Sequence, residues 1–432
     1  MTAATVCAQK DTITFWTTEI EPKRMAVQQA LAEQFERDTG IKVEVVPVKE
    51  SELPTRIVAA AAAGSLPDTV FVPLDYVIAW VEEEILDPSA ATTVIDELGD
   101  ESFASGPLRL VQIQDRWGAV PADGWGQLLL YRKDLFVGKG IDEMLGIPDT
   151  WNKILKAAKA LHKPSKLWGI AVGTDPSQVY TQQVFEQFAL SNSAKLINPI
   201  TGKVDLNAPE FIQTLQFYKS LAGLTPPGDI YWRQTREDYL GGRVAMIIWS
   251  PFILDEMAGL RDSVPVTAKD LAKPLHEMTG IVTAFKGPLG EAPAQWGQVS
   301  YFGITVDADP NCLKWVEFLL EDGYLNWLGM APEGKFPLRR GFVDGWKDLK
   351  IGVDRKARIS DLYPDAVING IIAGVESFDR WGFAKGRGGC VGQVYGTKTL
   401  IRILRRYLDG EMSAEAAASE MTEAILKLSG CS

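Results

Sequence analysis

Thr12-Ile13-Thr14-Phe15-Trp16, then Ile41 to Val46, then Thr69-Val70-Phe71-Val72 are three short β-type runs, and what lies between them decides the fold. β-Branched and aromatic residues dominate the first run, and the second alternates apolar with charged residues up to Pro47. Between them, Pro22 suits the first turn of a helix. Val27, Leu31 and Phe35 recur at helical spacing, and Gly40 stands where a C-terminal cap belongs. A second helix through 56–63 stops at Gly64, and Pro67-Asp68 turns into the third run. The order β-α-β-α-β predicts a parallel sheet with helices on its faces.

Working outward, Val120-Pro121 ends a further strand and Leu128–Tyr131 opens a new segment. Helical patterns follow over Trp151–Leu161, Val179–Leu190 and Pro209–Leu221. Gly242–Trp249 is nearly all apolar and reads as a buried strand, as does Val299–Val306. An amphipathic helix covers Cys312–Leu320, and the Ala/Glu-rich tail Ser413–Leu428 is helical. No repeat, low-complexity tract or flexible linker separates these elements.

Bulk properties narrow the partners. At 432 residues the chain suits two lobes better than one core. Its 46% hydrophobic and 23% charged content is that of a globular protein. A net charge of −12 disfavours nucleic acid and anionic membranes, which need clustered cations. No run approaches the ~18 apolar residues of a membrane span. Met1–Lys10 has no charged n-region followed by an apolar h-region, so either the chain is cytoplasmic or its leader has been removed. The four cysteines, Cys7, Cys312, Cys390 and Cys431, form no CxxC, and no pairing follows from the sequence.

In open α/β sheets ligands settle at the carboxyl ends of strands. That rule selects Thr17-Thr18-Glu19, Asp75, Asp123-Gly124-Trp125 and Trp249-Ser250-Pro251-Phe252. These stretches combine short polar groups with aromatics, as a sugar requires: hydroxyls want directional partners, and the C–H face of the ring lies well on an indole or phenol. Plainer readings exist for each. Asp75 could cap a helix beginning at Tyr76, Thr17, Thr18 and Glu19 could cap the helix after Pro22, and Trp125 could be packing between lobes. Trp249, Ser250 and Phe252 could continue the core of their strand. Arg387, in the unusual run Arg387-Gly388-Gly389-Cys390, could donate two bonds to an oxyanion or belong to a surface turn; if it touches ligand, an acidic sugar becomes plausible.

Five ordered motifs resemble the carbohydrate-binding proteins of ABC importers, the maltose-binding-protein-like solute-binding family. They are Phe35–Val43; Ala63–Val70 with Asp75; Val120-Pro121 with Leu129–Phe136; Gly242–Met246 running to Ser250-Pro251-Phe252; and Phe302-Gly303-Ile304 with the helix from Cys312. The resemblance implies an α/β, two-lobed periplasmic-binding-protein fold. Each lobe is a mostly parallel sheet flanked by helices, joined by hinge crossings near Val120–Trp125, Val282–Lys286 and Leu328–Lys335. The lobes would be 1–121 plus 285–329 and 122–284 plus 330–432, with the ligand cleft between them. It further implies capture of a sugar or small glycoside by hinge closure, delivery to permease subunits, an extracytoplasmic location, a monomer and no cofactor. Cys7 stands where a lipoprotein cysteine would. Asp75 matches the family's ligand-binding carboxylate. Where relatives carry Gly-Gly-Trp this chain has Ser300-Tyr301-Phe302, so Tyr301 is expected to take the stacking role, with Trp296 a further candidate.

Enzymatic readings find little footing. The two histidines, His162 and His276, make no zinc pair and no Ser-His-Asp set. GxSxG, GxxxxGK[ST] and GxGxxG after the first strand are absent. A glycoside hydrolase using Asp75 and Asp123 as its acid pair is the runner-up, and a binding protein for a polyamine or an oligopeptide comes third.

Overall fold

The computed structural model describes residues 12–198, 200–269, 271–353, 356–383 and 387–431. The anchoring position expected at Cys7 lies outside the described residues.

The opening stretch folds as its pattern predicts: β1 (Thr12–Thr17), α1 (Pro22–Thr39), β2 (Lys42–Pro47), α2 (Leu53–Ala62), β3 (Thr69–Pro73) and α3 (Leu74–Glu82). Pro22 opens α1, where its missing N–H costs nothing. Gly40 ends that helix at φ 75°, a left-handed conformation that a Cβ would strain, and its N–H reaches the Glu36 carbonyl. Beyond them come β4 (Val120–Gly126), β5 (Leu128–Arg132), α4 (Val179–Ser191), α5 (Trp232–Leu240), β6 (Met246–Trp249), α6 (Leu254–Met257), β7 (Thr279–Val282) and β8 (Gln295–Ile304). The remaining landmarks are α7 (Asn311–Leu320), β9 (Phe336–Pro337), β10 (Phe378–Asp379), α8 (Gly388–Thr397) and the C-terminal α9 (Ala414–Leu426).

Two compact units form. The first takes the chain up to Asp123 and Val299–Trp346; the second takes Gly124–Gln298 and the chain from Lys347 onward. The chain thus passes between units within β4, within β8 and after Trp346. The sequence reading set these passages after 121, 284 and 329; β8 and β9, both in the first unit's sheet, carry the last two further along.

The first unit's sheet runs β9-β4-β8-β3-β1-β2. β1 is parallel to β2 and β3, while β8 lies antiparallel to β3, Ser300 opposite Pro73 through Ile304 opposite Thr69. Its core is an aromatic cluster. Phe15 meets Phe302 and Trp315 edge-on at 6.1 and 5.9 Å, and Phe71 meets Trp327 at 4.9 Å. In the second unit, β6-β5-β7 is antiparallel throughout, Leu128 opposite Trp249 and Leu129 opposite Val282. The mostly parallel sheet expected there is corrected: a strand buried on both faces reads as one apolar run whatever its direction. The strand expected over Gly242–Trp249 is shorter, starting at Met246.

Candidate ligand-binding site

In the first unit, the predicted acidic groups stand at strand ends. Thr17 closes β1, is fully buried, and its Oγ1 accepts from the Glu19 N–H at 3.1 Å. The Thr18 carbonyl accepts from Ile20 N–H, a local turn. Glu19 pairs with Lys335 Nζ at 2.6 Å and with the Arg24 guanidinium at 2.5 Å. Burial pushes its carboxyl up, but those two cations outweigh burial and hold it down at about 2. Lys335 also reaches Asp123 Oδ2 at 3.0 Å, the same oxygen to which Trp327 Nε1 donates at 2.8 Å. Asp123 is only 4% exposed, and burial raises its carboxyl. It is therefore an internal ion-pair member holding Lys335 and Trp327, which leaves it ill placed as one acid of a hydrolytic pair. Asp75 lies in the first turn of α3, half-buried, with Pro73 in the cap position. Beside it Tyr76 stacks on Trp80 at 5.3 Å, and the Tyr76 hydroxyl is raised by partial burial and then by the Asp75 and Glu50 carboxylates.

The second unit brings Trp125, Trp249, Ser250 and Phe252 around a single cavity of about 390 Å³. β4 supplies Trp125 just before its end. β6 ends on Trp249, and the turn behind it presents Ser250 and Phe252. Trp125 faces Phe252 edge-on at 6.4 Å. The opposite wall was not foreseen: Tyr180 packs on Trp249 at 5.4 Å and Trp232 at 6.3 Å. Trp232, the first residue of α5, is 37% exposed, a large aromatic left partly in solvent. That exposed ring was the available signal, because Tyr231-Trp232 opens a helix whose other residues are mostly polar.

Polar groups also missed by the sequence reading complete the lining: Gln127, Gln178, Gln183, Arg236, Glu256 and Arg261. Arg236 Nη1 donates to Glu256 Oε1 at 3.0 Å, and Arg261 pairs with Asp255 at 3.0 Å. Burial raises the Glu256 carboxyl to about 7, Arg236 and Arg261 pulling down and Asp255 pushing up.

Three predicted residues fall elsewhere. Tyr301 is wholly buried and its hydroxyl donates to the Pro107 carbonyl at 2.9 Å, so it packs the first unit's interior and offers no stacking face. Trp296 is likewise wholly buried, its Nε1 on the Tyr395 hydroxyl at 3.1 Å and the Arg380 guanidinium 4.4 Å over its ring. Both sit on β8, whose residues are buried along most of the strand, on both faces. Arg387 donates to the Gly202 carbonyl at 3.0 Å and lines a different cavity of about 480 Å³, beside Asp379 and Trp381. Nearby, Cys390 is disulfide-bonded to Cys431, while Cys312 is free and buried. Among the described residues, no group of three His, Cys, Asp or Glu could hold a metal, and no helix is long and apolar enough to cross a membrane.

An aromatic pocket with a few placed polar groups, on an α/β scaffold whose chain passes three times between two units, suits a protein that holds a small solute. Residues 21–324 match the bacterial extracellular solute-binding protein family, and the chain belongs to it. The putative ABC transporter periplasmic-binding protein YcjN of Escherichia coli (strain K12) is 30% identical over 390 residues, covering 87% of this chain and 85% of that one. Two solved structures share the fold, that of the periplasmic binding proteins. Maltose-bound MalE3 of T. maritima aligns with a TM-score of 0.70 at 20% identity, over 96% of this chain and 98% of that chain. An ABC transporter solute-binding protein of Thermotoga lettingae bound with α-D-tagatose aligns with a TM-score of 0.69 at 20% identity, over 97% and 99%.

Proposed function

We propose that this protein captures a sugar or small glycoside and delivers it to the permease of an ABC importer, acting outside the cytoplasm as a monomer without a cofactor. The observation that carries the reading is the second unit's pocket, where Trp125, Trp232, Trp249 and Phe252 surround buried hydrogen-bonding groups. Flat rings take the apolar face of a pyranose, and the polar groups fix its hydroxyls. That relatives of the same fold hold maltose and tagatose supports the class of ligand. The Cys390–Cys431 disulfide supports an oxidising compartment, where such bonds persist. Asp75 and Glu19, which follow β3 and β1 of the first unit, are proposed as acidic ligand contacts.

Titration calorimetry with maltose, D-tagatose and glucosylglycerol tests the reading. Stoichiometric binding of one of them, recovered unchanged, is the expected result. Steady turnover of nitrophenyl glycosides would instead favour the hydrolase, and silence toward every saccharide would remove the sugar.

A further inference from the structure

The walls of the aromatic pocket contain three buried polar atoms with no hydrogen-bond partner among the described residues: Gln127 Oε1, Arg236 Nε and Glu256 Oε2. Gln127 and Glu256 are 3% and 2% exposed. Leaving such atoms unpaired costs about 1–3 kcal/mol each, more for a charged group, so their concentration around one cavity calls for a partner inside it. The Glu256–Arg236 pair is held by its other atoms, Glu256 Oε1 taking Arg236 Nη1 at 3.0 Å, and the Gln127 backbone is held by its carbonyl, which accepts from Gln295 Nε2 at 3.0 Å.

The charge balance says what the partner is. With both carboxyls ionised, Arg236 and Arg261 face Glu256 and Asp255 and the formal charges of the cluster cancel. Among the described lining residues no net cation is then left to receive an anion, and two of the three unpaired atoms are acceptors that a carboxylate or sulfonate could not satisfy. Arg387, the residue that would have favoured an acidic sugar, lines a different cavity.

We propose that this pocket selects an uncharged, hydroxyl-rich ligand, with Gln127 Oε1 and Glu256 Oε2 each accepting a ligand hydroxyl and Arg236 Nε donating to a third ligand oxygen. The proposal rests on the sugar-binding reading above and narrows it to neutral sugars and polyols. Glu256 and Gln127 then set specificity, while the rings supply most of the contact area.

The test is calorimetry at one slightly alkaline pH with maltose, D-tagatose and glucosylglycerol as neutral probes and D-glucuronate and D-galacturonate as anions. It is run on the wild type and on the Glu256→Gln, Gln127→Leu and Trp232→Ala variants. A neutral probe should bind at least about tenfold tighter than either uronate. Glu256→Gln should weaken that probe roughly 10- to 100-fold, as loss of a charge-assisted bond does, and Gln127→Leu should weaken it roughly 3- to 10-fold. Gln127 Oε1 has no partner among the described residues for Gln127→Leu to remove, so that variant keeps the test alive if Glu256→Gln melts early. Uronates binding as tightly as the neutral probes, or a neutral probe weakened by Trp232→Ala but by neither polar variant, overturns the assignment and leaves the sugar reading intact. Failure of all five saccharides to bind overturns both.

Discussion

Glu19 shows how much one side chain's chemistry depends on where the chain places it. Its carboxyl, held at about 2 in the folded protein against 4.5 unpaired, binds protons more weakly folded than unfolded. Its contribution is therefore fully present above pH 4.5 and is lost as pH falls through about 2, an amount on the order of 3 kcal/mol. Urea unfolding of wild type and Glu19→Gln across that window should show the two curves converging as acid is added; parallel curves would mean the Lys335 and Arg24 pairs do not stabilise the fold. Trp232 makes a second prediction. Because it is 37% exposed, Trp232→Ala should leave stability within about 0.5 kcal/mol while weakening saccharide binding about tenfold in calorimetry. A large fall in melting temperature would show that the ring is structural. The rule that ligands meet strand ends made Trp125, Trp249, Ser250 and Phe252 legible, because each follows or closes an apolar run. Gln127, Arg236 and Glu256 were not legible: two come from helices, where a polar residue ordinarily faces water, and only tertiary packing turns them inward.

At the scale of elements, β8 accounts for the main misplacement. The family resemblance puts Tyr301 in the stacking role with Trp296 as a further candidate, yet the strand runs through the sheet and both are buried. Gly297 has a packing cause: a Cβ there would lie 2.3 Å from Phe378 Cγ on β10, and Gln295 and Trp296 pair with Phe378 and Asp379. Gly297→Ala should thus cost ~1–3 kcal/mol in chemical denaturation, through displacement of the Phe378 ring; a neutral result would mean that β10 yields freely. The C-terminal tail carries the other element-scale prediction. The bond from Cys390 on α8 to Cys431 closes a separation of 41 residues, and such a closure constrains the unfolded chain. Reduction, or Cys390→Ser, should lower stability by ~2–4 kcal/mol, read as a fall in melting temperature under otherwise identical conditions. An unchanged melting point would show that α8 and α9 are held by packing alone. No spacing rule gives this pairing, since two cysteines that far apart in sequence meet only through the fold.

For the molecule as a whole, the order of elements was legible because it is written in local periodicity and turn chemistry, which survive in a single sequence. The direction of the second unit's strands and the later crossing points were not, since both depend on pairings distant along the chain. The same long-range organisation underlies the last prediction. Each unit is assembled from separated stretches, and the chain passes between them within β4, within β8 and after Trp346. Short crossings of this kind let a few residues absorb the dihedral change of a hinge. If capture is by closure, the radius of gyration in solution scattering should fall when a neutral saccharide that binds in calorimetry is added to saturation. Under the same sugar concentration, a Trp232→Ala variant below saturation should keep the larger value. The two measurements together separate closure from simple occupancy: calorimetric binding with an unchanged radius in the wild type would leave a pocket that holds its ligand without moving either unit, and the hinge would have to be given up while the site remained.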